Sequence, residues 1–297
     1  MSNETNRADA EPIARTYRSQ GLRLRYYDWG NPDAPCLLLV HGIQDHARGW
    51  DWTARALRCN WHVIAPDLRG HGDSDWSGDG AYLSSYYILD IANLVAELGC
   101  ESLAVVAHSL GGNIMARFTA AFPQRVQKLA LIEGLGPSLE ALTSWSQRGP
   151  VRRMRDWIET QQAALSKAPH VLATFEDAVA RIRKMNPRLS AEQAGHLARH
   201  GIRQHADGYR WKNDPLVPSF APEDFSADNT AFWREIGCPT LLLYGADSWT
   251  TNPETDGRAR HFAAHRTLVI DRAGHWLHHD QFDLTIAALR EFLDDAR

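Results

Sequence analysis

The feature that most limits what this chain can fold into is its alternation of short, uncharged apolar runs with longer amphipathic segments. Runs at 22–29, 36–41, 62–66, 103–107, 128–132, 240–244 and 267–270 carry few charges. Several of them match strands buried on both faces of a parallel sheet. Between them, 49–57, 84–98, 110–122, 253–264 and 280–294 space their apolar residues as single helical stripes, which predicts helices that cover those faces. The alternation stops for about a hundred residues after Ile132, where helical patterns at 151–166, 170–185 and 191–205 precede a Pro/Asp-rich stretch ending at Pro239. The chain therefore reads as an α/β protein with a helical insertion placed late in the sheet.

Composition removes several function classes. Hydrophobic residues make up 44% of 297, enough for a sizeable core, and the formal charge of −4 without a basic run excludes the electrostatic footprint of a nucleic-acid binder. Cys36, Cys59, Cys100 and Cys238 show no C-x-x-C spacing, so reduced core thiols are expected. The first residues lack an apolar signal region and no run is long enough to span a membrane, which predicts a soluble cytoplasmic protein without membrane insertion, monomeric or homodimeric.

One segment carries chemistry. Leu103–Gly112 reads LAVVAHSLGG and joins an apolar strand to a helix through Ser109. A serine at such a turn is exposed at the carboxyl edge of the sheet, as in the G-x-S-x-G elbow, with Ala107 in place of the first glycine. The plainer reading is a serine that only caps a helix.

With His41-Gly42-Ile43-Gln44, Asp67–Ser74 and Gly274-His275-Trp276 in matching order, the chain resembles an α/β-hydrolase with a cap, from about Arg15 onward. The resemblance implies a mostly parallel eight-stranded α/β-hydrolase sheet flanked by helices, with the cap inserted before the penultimate strand. The corresponding division is a flexible tail at 1–14, a core at 15–135 and 236–297, and a cap at 136–235. It implies Ser109 as nucleophile and His275 as general base, in the order serine, acid, histidine. The oxyanion donors would be the backbone N–H groups of Leu110 and Ile43. His108 would support the turn rather than move protons, and His278 and His279 would be solvated or lie behind the site.

Two positions compete for the acid. Relatives often place an Asp three residues after the glycine that ends the penultimate strand, but that position holds Ser248, and Asp247 is one residue early. Glu133, after the strand ending at Ile132, matches the place where some haloalkane dehalogenases carry their acid. Both remain candidates.

Asp67–Ser74 reads as architecture, a glycine-punctuated loop tied down by Asp67 or Arg69. His196 and His200 lie four apart on a predicted helix, with Glu192 four residues earlier, but HExxH and a third ligand are missing, so a solvated helix face is expected and no metal or cofactor. Trp50, Trp249 and Trp276 fall near the motif loops and are expected to wall a substrate pocket.

The implied activity is a carboxylesterase-like serine hydrolase (EC 3.1.1), acting on small or medium apolar esters through an acyl-enzyme. The same residues serve thioester, carbon–carbon or perhydrolytic chemistry. A hydrolase-like core that only binds a small molecule is the alternative of another class.

Overall fold

The computed structural model describes residues 11–167, 170–218, 221–222, 224 and 229–295. Eight strands form one sheet: β1 (Ile13–Ser19), β2 (Leu22–Asp28), β3 (Cys36–Val40), β4 (His62–Pro66), β5 (Leu103–His108), β6 (Val126–Ile132), and, after a hairpin of β7 (Ile202–His205) and β8 (Gly208–Trp211), β9 (Thr240–Gly245) and β10 (His265–Ile270). The spatial order is β1-β2-β4-β3-β5-β6-β9-β10. β1 and β2 pair antiparallel, as do β2 and β4, and every pairing from β4 to β10 is parallel.

Helices α1 (Asp51–Leu57), α2 (Ser84–Leu98), α3 (Leu110–Ala121), α9 (Leu277–Asp280) and α10 (Phe282–Asp294) belong to the segments on either side of the insertion. Between β6 and β9 lie α4 (Leu139–Gln147), α5 (Pro150–Ser166), α6 (Phe175–Met185), α7 (Ala191–Gly201) and α8 (Asn229–Arg234). Alternate residues of the central strands enter two core clusters, one on each face: Leu38, Val40, Val105 and Leu242 on one side, Leu37, Leu39, Val106 and Leu243 on the other. That double burial is why these runs are apolar throughout rather than alternating.

Several expectations change. Residues 1–10 of the expected tail lie outside the described residues, but Ile13 and Ala14 belong to β1, an edge strand in which only Tyr17 and Ser19 are buried. An edge strand with one wet face carries little apolar signal. The helix expected at 253–264 is instead a series of turns with a short 3-10 segment at Ala259–His261. Asn252 Oδ1 accepts from Glu254 N (3.0 Å), Gly257 adopts φ +79°, and Arg258 is fully buried with its guanidinium on the carbonyls of Gly136 (2.8 Å) and Thr251 (2.6 Å). The helix expected to run to residue 205 ends at Gly201, and after β7 the chain turns at Ala206-Asp207 into β8. Of the four cysteines, all free thiols, only Cys36 is buried and Cys59 is exposed. Among the described residues no helix is long and apolar enough to cross a membrane.

Candidate active site

The strand register brings the chemistry together. His108 pairs with Ile132, and Ile132 with Leu243, so the residues that follow β5 and β6 emerge side by side at the carboxyl edge of the sheet. Ser109 and Glu133 are those residues. Both have positive φ, 51° and 49°, a conformation that non-glycine residues rarely adopt and that surrounding structure must enforce. Here the enforcement is visible: Ser109 N donates to Ile132 O (2.9 Å), Asn113 N to Ser109 O (3.1 Å), and Glu133 N to Leu243 O (2.9 Å). Helix α3 leaves the elbow so close to the β6 loop that a Cβ on Gly112 would lie 2.5 Å from Gly134 Cα.

His275 follows β10 and reaches both groups. Its Nε2 is 3.1 Å from Ser109 Oγ, and its Nδ1 is 2.5 Å from Glu133 Oε2. The Glu133 carboxylate has no side-chain exposure. It is held by Gly245 N on Oε1 (2.9 Å) and by the hydroxyls of Ser248 (2.7 Å) and Thr250 (2.8 Å) on Oε2. Four donors thus converge on one carboxylate, which fixes its orientation. Asp247, the competing acid, turns outward: its half-exposed carboxylate takes a hydrogen bond from Arg188 (2.9 Å) and makes no contact with His275. The position one residue later points inward, and it holds a hydroxyl.

His108 is buried behind the site, its Nε2 3.0 Å from the carbonyl of His275 and its ring 4.7 Å from the His275 ring. Burial and the neighbouring His275 hold its imidazole well below the usual range, so it stays neutral. Leu110 opens α3, where its N–H has no partner within the helix. A Cβ on Gly42 would lie 3.1 Å from Ser109 Cβ, so the backbone leading into Ile43 runs directly beside the serine.

A cavity of about 170 Å³ opens between the loop after β3 and the insertion, lined by Ile43, Ile182, Leu189, Leu197, Trp211 and Trp276 among others. Ser109 is not itself on its wall; Ile43 and Trp276 are the sequence neighbours of the site that reach it. Asp45, also on the wall, is pushed up to about 7 by burial that one hydrogen bond from His46 N does not offset. Asp45, Ser248 and Thr250 were not foreseen from sequence. Only Ser248 carried a signal, as the departure from the usual acid position.

The three tryptophans separate. Trp276 lines the cavity, and its ring lies edge-on to His275 at 5.1 Å. Trp249 is largely exposed but covers His275 with ring centroids 4.6 Å apart. Trp50 corrects the expectation: it is 1% exposed, packs in the core and stacks on His278 at 4.6 Å, because the 3-10 turn Ala47–Trp50 directs it beneath the site rather than into it. His278 and His279 are likewise buried rather than solvated. The Asp67 loop is architectural, with Asp67 accepting from Ala47 N (2.7 Å) and Asp73 N (2.8 Å), and Arg69 paired with buried Asp90.

The family model for the alpha/beta hydrolase fold matches residues 35–282. The chain belongs to this family. Among other α/β hydrolases and related sequences, the serine hydrolase-like protein of Danio rerio is 28% identical over 193 residues, spanning 64% of this chain and 58% of that protein. The 3-hydroxybutyrate-oligomer hydrolase of Cupriavidus necator is 29% identical over 242 residues, 76% of this chain and 77% of that one. The crystal structure of E-2-(acetamidomethylene)succinate hydrolase superposes with a TM-score of 0.79 at 22% identity, covering 95% of this chain and 99% of that one, a likeness of fold alone.

Proposed function

We propose that this α/β hydrolase is a serine hydrolase of carboxylic esters that works through an acyl-enzyme. The observation that carries the reading is the connected path from Ser109 Oγ through His275 to Glu133, at 3.1 and 2.5 Å. His275 Nε2 takes the serine proton as Oγ attacks the ester carbonyl, while Glu133 holds the imidazole in the tautomer with Nδ1 protonated and stabilises the imidazolium that forms. The N–H groups of Leu110 and Ile43 receive the oxyanion. The imidazolium returns its proton to the leaving alkoxide, and water then repeats the sequence against the acyl-serine. A serine at the elbow speaks against epoxide or haloalkane opening, which in the resembling branches forms an ester with an aspartate at this position.

The wall of Ile43, Ile182, Leu189, Leu197, Trp211 and Trp276 supports a small or medium apolar substrate. Trp276 joins the cavity to His275, and Trp249 shields the outer face of the imidazole. The test is hydrolysis of short-chain p-nitrophenyl esters. A burst of p-nitrophenol is expected, an organophosphonate is expected to label Ser109, and Ser109→Ala should abolish both. Ligand binding by a folded, unlabelled protein without turnover would replace this reading with that of a receptor.

A further inference from the structure

Sequence spacing showed only half of a second cluster. His196 and His200 stand one turn apart on α7, and the structure adds Asp51, the first residue of α1 and 145 positions before His196 in the chain. One nitrogen from each imidazole and one oxygen of Asp51 lie within 4.8 Å of one another. The expected solvated face is therefore a contact between the insertion and the core: Asp51 is fully buried and the side chain of His196 is 15% exposed. His196 Nε2 is 3.2 Å from Asp51 Oδ2 and 3.0 Å from the carbonyl of Arg48. His200 makes ring contacts with His196 (4.6 Å) and His46 (6.3 Å) but no hydrogen bond among the described residues. His200 is half-buried, and neither of its ring nitrogens is committed to a hydrogen bond among the described residues, so both are available to a ligand. A cleft of about 300 Å³, lined by Trp52, Glu192, Gly195, His196 and Arg199 among others, leads from solvent to His196.

We propose that Asp51, His196 and His200 bind a transition-metal cation of the zinc type, with water in the fourth position, and that this metal pins α7 to the core. Two imidazoles and one carboxylate suit zinc or nickel and not magnesium or calcium, which favour all-oxygen shells. Metal–donor bonds of about 2.0–2.1 Å place tetrahedral ligand atoms roughly 3.4 Å apart. Donors now separated by up to 4.8 Å must therefore close on the ion, drawing α7 toward α1. His196 ligates through Nε2 by carrying its proton on Nδ1, a change of tautomer without redox chemistry. Arg48, which donates to both oxygens of Asp51 at 2.7–2.9 Å, and Arg55 at 3.8 Å, compete for the carboxylate and oppose the cation. The site is accordingly weaker than a closed structural zinc site.

The metal has a route to the other cavity. Leu197 and Gly201, each next in sequence to a ligand, line that cavity, and the Leu197 carbonyl is 3.0 Å from His46 Nε2. Movement of α7 thus moves a wall of the cavity beside the serine. The binding claim does not rest on the hydrolase reading; only the effect on turnover does.

Isothermal titration of the full chain with zinc chloride tests the site. One zinc per chain is expected, with calcium giving no heat. His200→Gln removes no hydrogen bond, so the variant should fold, and it should weaken zinc binding at least tenfold. Asp51→Asn, checked for folding by circular dichroism, should weaken it as well. Unchanged stoichiometry and affinity in folded His200→Gln would overturn the proposal, because zinc would then sit elsewhere, for example on His275. In ester turnover, zinc should change KM in the parent chain and not in His200→Gln. A zinc effect that persists in the variant would overturn the coupling to the cavity.

Discussion

Replacing Glu133 by glutamine keeps the size of the side chain and inverts its hydrogen bonding, so its effect can be worked from the four donors around it. Gly245 N–H, the hydroxyls of Ser248 and Thr250 and His275 Nδ1 all point at the carboxylate. An amide offers one oxygen and one NH2. With the NH2 turned toward Gly245, two backbone-fixed donors face each other and an unmade buried bond costs about 1–3 kcal/mol. With the oxygen toward Gly245, the NH2 faces two hydroxyls, which can rotate to accept, and His275 Nδ1, which accepts only in the tautomer that carries its proton on Nε2. The second arrangement satisfies more groups. It also aims an N–H at Ser109 and removes the general base. A wrong-tautomer histidine costs about four orders of magnitude in kcat, or about 5.4 kcal/mol of transition-state stabilisation. Asp247→Asn removes one exposed pair with Arg188, worth about 0–1 kcal/mol, and should change turnover by about threefold or less. Pre-steady-state hydrolysis of p-nitrophenyl butyrate measures both, with circular dichroism and a denaturant midpoint as controls for folding. If Asp247→Asn lost orders of magnitude while folded Glu133→Gln stayed within tenfold of the parent, the assignment of the acid would be wrong.

Two further outcomes follow from burial. Trp50→Ala should lose about 3–5 kcal/mol in chemical denaturation, as large core truncations do, while the folded fraction keeps its KM; Trp276→Ala, on the cavity wall, should raise KM with a smaller loss of stability. Equal effects on KM would contradict the separation of the two rings. Stability should also depend on acid. Burial holds the imidazoles of His41, His108 and His278 well below the usual range and that of His71 at about 4, so the folded chain keeps them neutral. The unfolded chain takes up protons at these positions below about pH 6.5, so stability must fall as pH drops from there toward 4, by up to about 1.36 kcal/mol per pH unit for each group. Denaturant midpoints that stay level between pH 7 and pH 5 would refute this.

The sheet and its flanking helices were legible because strands buried on both faces must be apolar throughout, and such runs stand out between amphipathic helices. What failed to show lacked that constraint. β1 exposes most of its residues, and the stretch after Asn252 imitates a helix because its turns are held by Asn252, Gly257 and the buried guanidinium of Arg258 rather than by an apolar stripe. The β7–β8 hairpin turns through Ala206-Asp207 ahead of Gly208, a punctuation that the helical pattern before it obscured. At the site, Ser109 and His275 could be placed from local motifs because their backbones are tightly specified. Trp50 could not, since the same 3-10 turn can direct a ring inward or outward and only the packing of His278 beneath it decides.

The acid was undecidable from sequence for a different reason: two strand ends, β6 and β9, both deliver a residue to the Nδ1 side of His275, and either can supply the charge. What separates them is complementarity. A carboxylate from one strand end needs donors from the other, and two carboxylates there would repel each other and raise the pKa of one. With Glu133 on β6, the loop after β9 answers with the Gly245 amide and the Ser248 and Thr250 hydroxyls, donors throughout. Asp247 could enter only by changing the turn that its own N–H fixes on the Ala273 carbonyl (2.9 Å), and would then bring a second negative charge against Glu133. Ser248, which looks like a missing acid when read alone, is the partner that an acid on the neighbouring strand requires.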